Sequence, residues 1–160
     1  MGMFDGTSLR RSAFAPPKNA AHAAFTGLFC IRRLYCWTIH FNPNLRFQVV
    51  RHRGRSALRD SADGKLYQPA GEVSGGTDEG YAAVSRLYDR QSGSNVLIVS
   101  GTNAHSNQGA AEFLLEPEQL GGWLASFPEG WQTKNLEILL QMRVVSATPG
   151  RAEVVASRVW

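Results

Sequence analysis

NVLIVSGTNAHSNQGAAEFLL, residues 95–115, is the stretch on which the fold turns. NVLIVS is a continuous apolar run, the signature of a strand covered on both faces. A polar turn opens at Gly101, and a helix is expected over 107–115, with Ala110, Ala111, Phe113 and Leu114 available for packing. Ser106 or Asn107 is its expected cap. Strand, turn and helix in that order predict α/β architecture. They also place a polar loop at the carboxyl end of a strand, where such folds bind ligands.

Working toward the amino end, the DRQSGS segment is a turn, and YAAVSRLYD before it is a strand paired to NVLIVS. Residues 66–80 form a Gly-rich, acidic loop holding Pro69, Gly71, Glu72, Gly75, Gly76, Asp78 and Glu79. LRFQVV, 45–50, alternates as a half-buried strand with Leu45, Phe47 and Val49 on one face. Residues 51–59 are expected to be a basic connector. Asn42-Pro43-Asn44 marks a turn, and 25–41 is apolar enough for a strand or part of the core.

Working toward the carboxyl end, Glu116-Pro117 closes the first helix, and Pro117 can open the next. In 118–127, Leu120, Trp123, Leu124 and Phe127 fall at helical spacing. Gly121-Gly122 weakens that helix by about 1 kcal/mol per glycine relative to alanine. Residues 136–145 and 152–159 are strands joined through SATPG as an antiparallel hairpin. The predicted fold is therefore α/β: a mixed β-sheet with helices packed on it and a carboxyl-terminal antiparallel hairpin. Because no helix joins the strand before NVLIVS to it, an incomplete Rossmann-like sheet is the variant reading.

The chain has 160 residues, enough for one domain, and its 43% hydrophobic content allows a core without metal or disulfide staples. Charge is divided unevenly. Residues 1–59 carry ten basic side chains against a single acid, Asp5, whereas from Asp60 onward seven basic residues face twelve acidic ones. The expectation is a basic, poorly ordered arm over 1–35 and a single domain over 36–160. SLRRSAF resembles a twin-arginine signal, but PPKN follows where an apolar stretch should begin. AAFTGLFCI is too short to span a bilayer. A cytoplasmic protein is expected.

Seven stretches taken together resemble a known family: WTIHFNPNLRF (37–47), GE (71–72), YAAVSRL (81–87), VLIVSGT (96–102), GAAEFL (109–114), LEILL (136–140) and AEVVASR (152–158). From residue 37 onward the chain is similar to an uncharacterised bacterial α/β domain often found after a winged-helix, regulator-type DNA-binding domain. The resemblance implies a mixed α/β sheet and a sensing or regulatory role, and no catalytic activity comes with it. Two departures stand out. The family's Asn-Pro-Trp turn is replaced by Tyr35-Cys36-Trp37, and its second Gly-Thr by Gln108-Gly109. Residues 1–35 are accordingly expected to be a replaced, mis-started or truncated amino end, and DNA binding is not carried over from the family.

The candidate ligand site is Ser100, Gly101, Thr102, Asn103, His105 and Ser106, with Glu72 lining the same pocket. Hydroxyls, amides and a helix amino terminus suit a small polar or anionic group. The same residues serve equally to cap the helix and satisfy the turn. No Walker ending and no G-x-G-x-x-G is present, so no nucleotide cofactor is expected. No G-x-S-x-G elbow accompanies His105, so no catalytic residue is assigned. Cys30, Cys36 and His40 lack a fourth ligand, so no metal is expected.

The leading reading is a non-enzymatic module that senses a small polar ligand or contacts a protein partner or a second copy of itself. A small hydrolase or transferase using His105 and Glu72 is the second. The third is a nucleic-acid binder working through the basic first third, with Arg51, Arg53 and Arg55 as its densest cluster. Nucleic acid is the less expected partner, because no aromatic residues interleave with those charges. A membrane partner is not expected.

Overall fold

The computed structural model describes residues 44–69, 77–90 and 93–160, together with the backbone of 28–31. The chain is mostly β. Among the described residues nine strands run in order: β1 (Leu28–Ile31), β2 (Phe47–His52), β3 (Arg55–Asp60), β4 (Leu66–Tyr67), β5 (Thr77–Asp89), β6 (Ser94–Gly101), β7 (Leu136–Val145), β8 (Thr148–Pro149) and β9 (Glu153–Val159). Helices α1 (Ala104–Leu115) and α2 (Pro117–Leu124) both fall between β6 and β7.

The strands make two sheets, one of which curls into a half-barrel. The larger has the order β1-β6-β5-β7-β8, with β9 also on β7; the smaller has the order β2-β3-β4. Every pairing is antiparallel except that of the short β1 with β6. Strand alternation then divides the larger sheet into two faces. Ala82, Val84, Leu97, Val99, Leu136, Ile138, Leu140, Met142 and Val144 pack with Ala110 and Phe113 of α1, and with Leu120 and Leu124 of α2. The opposite face presents Ala83 and Leu139 to Phe47 and Leu58 of the smaller sheet, and Leu87, Val96 and Ile98 to Leu45.

This architecture overturns the α/β expectation, both as a mixed sheet with helices packed on it and as an incomplete Rossmann-like sheet. Within NVLIVS, Leu97 and Val99 are covered by the helices, whereas Val96 and Ile98 on the other face pack with Leu45, just ahead of β2, and with Trp160. Only four residues separate β5 from β6, and the two run antiparallel, whereas doubly wound folds join parallel neighbours through helices. Among the described residues the helices come once, as a consecutive pair, and not after each strand. An apolar run reports double coverage without saying what does the covering.

Three local expectations are also corrected. The basic connector over 51–59 is instead the turn and second strand of a hairpin. His52 pairs with Arg55 across a two-residue loop, with Arg53 at φ +48 and Gly54 at φ +79. Both loop residues take the left-handed region that suits the right-handed twist of paired strands. Val49 does not join Phe47 in the core and stays 43% exposed, since the core thins toward the hairpin tip. Within the expected 66–80 loop, Leu66–Tyr67 and the start of β5 are strand. The expected carboxyl-terminal hairpin is present between β7 and β9, turning first at Ser146 and Ala147.

Candidate functional site

The turn between β6 and α1 is built from its own side chains. Asn103, in extended backbone, caps α1: its Oδ1 accepts the Ser106 N–H at 2.8 Å and the Ser106 hydroxyl at 2.9 Å. The expected caps, Ser106 and Asn107, lie inside the helix, because α1 begins three residues earlier than its alanine pattern suggests. The Asn107 side chain reaches back to accept the Gly101 N–H at 2.7 Å. Thr102 Oγ1 accepts the Tyr81 N–H at 3.2 Å and lies 3.2 Å from Ser106 Oγ. The Thr102 N–H in turn donates to the Tyr81 carbonyl at 2.8 Å. The Asn103 bond satisfies the Ser106 amide, a donor that a helix start otherwise leaves without a partner.

The turn therefore brings Gly101, Thr102, Asn103 and Ser106 together, but into one another. Thr102 and Ser106 are buried. Ser100 pairs with Ala83 and shares the face of Val96 and Ile98, away from α1. His105 is half-exposed on the first helical turn and takes no part in the circuit. Glu72 lies outside the described residues, as do the side chains of Cys30, Cys36 and His40. Among the described residues no three His, Cys, Asp or Glu side chains gather into a metal-binding group. No described helix is long and apolar enough to cross a membrane.

The close seat of α1 depends on glycine. A Cβ on Gly101 would lie 2.8 Å from the Asn107 nitrogen, and one on Gly109 would lie 2.3 Å from the Met142 sulfur. Backbone at these two positions approaches its neighbours too closely for a side chain.

A second polar centre escaped the sequence reading. Glu137, fully buried in β7, receives the backbone N–H of Arg46 at 3.1 and 3.0 Å, that of Phe47 at 3.4 Å, and the Ser85 hydroxyl at 3.4 Å. Burial pushes the Glu137 carboxyl above its ordinary range, against the opposing pull of those N–H donors and of Arg158. Beside it, the Arg46 guanidinium binds Asp60 twice, at 2.8 Å each. That contact holds the Asp60 carboxyl below the usual range, and the Ala62 N–H adds to it. Arg86, buried in β5, donates to the carbonyls of Trp131, Gln132 and Lys134 and lies over the Trp131 ring. The signal was present in each case: a charged residue interrupting an apolar strand needs a buried partner.

The third polar feature is the hairpin of β2 and β3, apart from the turn and on the other sheet. Arg51, Arg53, Arg55 and Arg59 are all exposed. Arg51 donates to the Gly54 carbonyl at 3.1 Å, and Arg59 to Gln48 at 2.8 Å. Among the described residues none of the four is ion-paired. Asp60 is turned inward to Arg46, and Asp63 accepts the Lys65 N–H in the next turn. Comparison with protein-family models, with curated proteins and with solved structures finds no match for this chain.

Proposed function

We propose that this chain is a non-enzymatic binding module, cytoplasmic and regulatory in setting, whose contact surface is the arginine-rich hairpin of β2 and β3. One observation carries the reading. Arg51, Arg53, Arg55 and Arg59 stand exposed, with no ion-pair partner among the described residues, on a hairpin whose base is anchored by buried carboxylates. Guanidinium groups held on a strand pair favour an anionic partner, because their planar donors match carboxylate and phosphate groups. The regulatory setting is supported by the resemblance to a regulator-associated domain.

In this reading the turn from Ser100 to Asn107 is scaffold. A small ligand at Gly101, Thr102 and Asn103 would have to displace the helix cap before binding. His105 and Glu72 are assigned no chemistry.

The test is retention of the full chain on immobilised polyglutamate, heparin and polyphosphate, beside a variant carrying Arg51→Gln, Arg53→Gln and Arg55→Gln. Salt-sensitive retention that the triple variant loses supports the reading. Equal retention of both proteins moves the contact surface elsewhere.

A further inference from the structure

We infer that the partner of this hairpin is double-stranded nucleic acid, gripped through its phosphates without regard to sequence; the inference rests on the hairpin being the contact surface. The shape comes first. β4 pairs with β3 only at Leu58 and Arg59, so among the described residues 50–57 form a ribbon of two strands that pair with each other, with Ala57 buried at its base. Adjacent strands lie about 4.8 Å apart. A two-stranded ribbon with its side chains fits the major groove of a duplex, about 12 Å wide.

Charge placement follows from the register. Arg51 pairs with Ser56 and projects from one face; His52, Arg55 and Arg59 project from the other; Arg53 sits at the tip. A ribbon lying between two phosphate walls meets anions on both sides, and this ribbon carries guanidinium groups on both sides. Arg51 also ties the turn to itself through Gly54, which fixes the tip before any partner arrives. Among the described residues no carboxylate pairs with Arg51, Arg53 or Arg55, and Asp60 is turned inward to Arg46.

Chemistry excludes the neighbouring classes of partner. Single strands are held by stacking bases on aromatic rings, and no Phe, Tyr or Trp lies between Phe47 and Tyr67. Membrane-surface binding needs large apolar side chains inserted beside the charges, and the tip offers only Val49 and Val50. Exposed guanidinium groups on both faces of the ribbon suit phosphate oxygens.

The experiment is fluorescence anisotropy of the full chain with a mixed-sequence duplex, the matching single strand, phosphatidylserine vesicles and labelled polyglutamate, each over a salt series. Duplex binding is expected, with log affinity falling against log salt at a slope of about −0.9 per phosphate contacted. Each of Arg51→Gln, Arg53→Gln and Arg55→Gln should lower that slope by about one, and the triple variant should lose at least about tenfold in affinity at low salt. All these side chains are exposed, so circular dichroism and thermal melts of the variants should match the parent. Duplex binding that the triple variant keeps overturns the inference. Hairpin-dependent binding to polyglutamate or vesicles with none to duplex overturns it too, while leaving the hairpin as the contact surface. Loss of binding to every polyanion removes both readings.

Discussion

The Arg46 backbone N–H donates to both carboxylate oxygens of Glu137, at 3.1 and 3.0 Å, across 91 residues of chain. Arg46 leads into β2 of the smaller sheet, and Glu137 sits in β7 of the larger. The Phe47 N–H joins the same carboxylate at 3.4 Å. The chain entering β2 has no strand beyond it among the described residues, so these amides need an acceptor from elsewhere. Glu137 supplies it. The apolar contact of Phe47 and Leu58 with Ala83 and Leu139 brings the sheets together; Glu137 fixes which residues meet.

Glu137→Leu should destabilise the protein well beyond a typical surface change. It leaves two buried N–H groups without an acceptor, at a cost of about 1–3 kcal/mol each. Glu137→Gln keeps an oxygen in place and should cost less. Urea unfolding of the two variants checks the order, and a Gln variant as weak as the Leu variant would mean that the charge matters and the acceptor does not. Hydrogen exchange should show the Arg46 and Phe47 amides losing protection in the Leu variant.

Stability should depend on pH through two buried carboxylates acting in opposite directions. Asp60 is depressed, first by its hydrogen bond with Arg46. Its contribution is complete above the unfolded value of about 3.9 and is lost as pH falls through the folded value. Glu137 is raised, first by burial. Its neutral form favours folding below the unfolded value of about 4.3, and that contribution is lost as pH rises through the folded value. Relative to the parent, Glu137→Gln should therefore gain stability as pH climbs above about 4.3, and Asp60→Asn should lose less than the parent on acidification below about 3.9. Parallel stability curves for Glu137→Gln and parent between pH 4 and 8 would rule out the raised value.

Removing the α1 cap should act on stability alone. Asn103→Ala deletes the acceptor of the Ser106 N–H and hydroxyl, at about 1 kcal/mol, or about 2–4 °C in Tm for a chain of this size. Asn103→Asp should be nearly neutral. Polyanion binding by the hairpin should be unchanged in both. Weaker polyanion binding by Asn103→Ala would draw the turn back into the contact surface.

How far the sequence revealed this molecule depends on which signals are local. NVLIVS was legible as a doubly covered strand, and Pro117 as a helix start, because each follows from residue chemistry at that position. What covers β6 was not legible, since helices over Leu97 and Val99 and the Leu45 and Trp160 side chains over Val96 and Ile98 bury the strand alike. The 51–59 hairpin was missed because Arg53-Gly54 is not one of the usual two-residue loops, and three arginines so close together resemble a solvated linker. The polar turn was identified as a candidate site by composition. Only geometry could show that Thr102, Asn103 and Ser106 bond to one another. Glu137 was hidden in the apolar LEILL strand, where one charge among apolar residues is the sole local trace of the contact between sheets.

Glycine to alanine should have opposite effects in the two helices, and the difference separates packing from propensity. Alanine is favoured over glycine within a helix by about 1 kcal/mol. Gly122 lies in α2 with nothing within 4 Å of an added Cβ, so Gly122→Ala should stabilise by about that amount. Gly109 lies in α1 against β7 and β8, where the new Cβ would fall 2.3 Å from Met142 Sδ and 3.0 Å from Pro149 Cβ. Met142 can swing, but Pro149 cannot, and overpacking costs about 1–3 kcal/mol. The packing cost exceeds the propensity gain, so Gly109→Ala should lower Tm while Gly122→Ala raises it. If both variants melt higher than the parent, α1 does not sit as close to β7 as Met142 and Pro149 require.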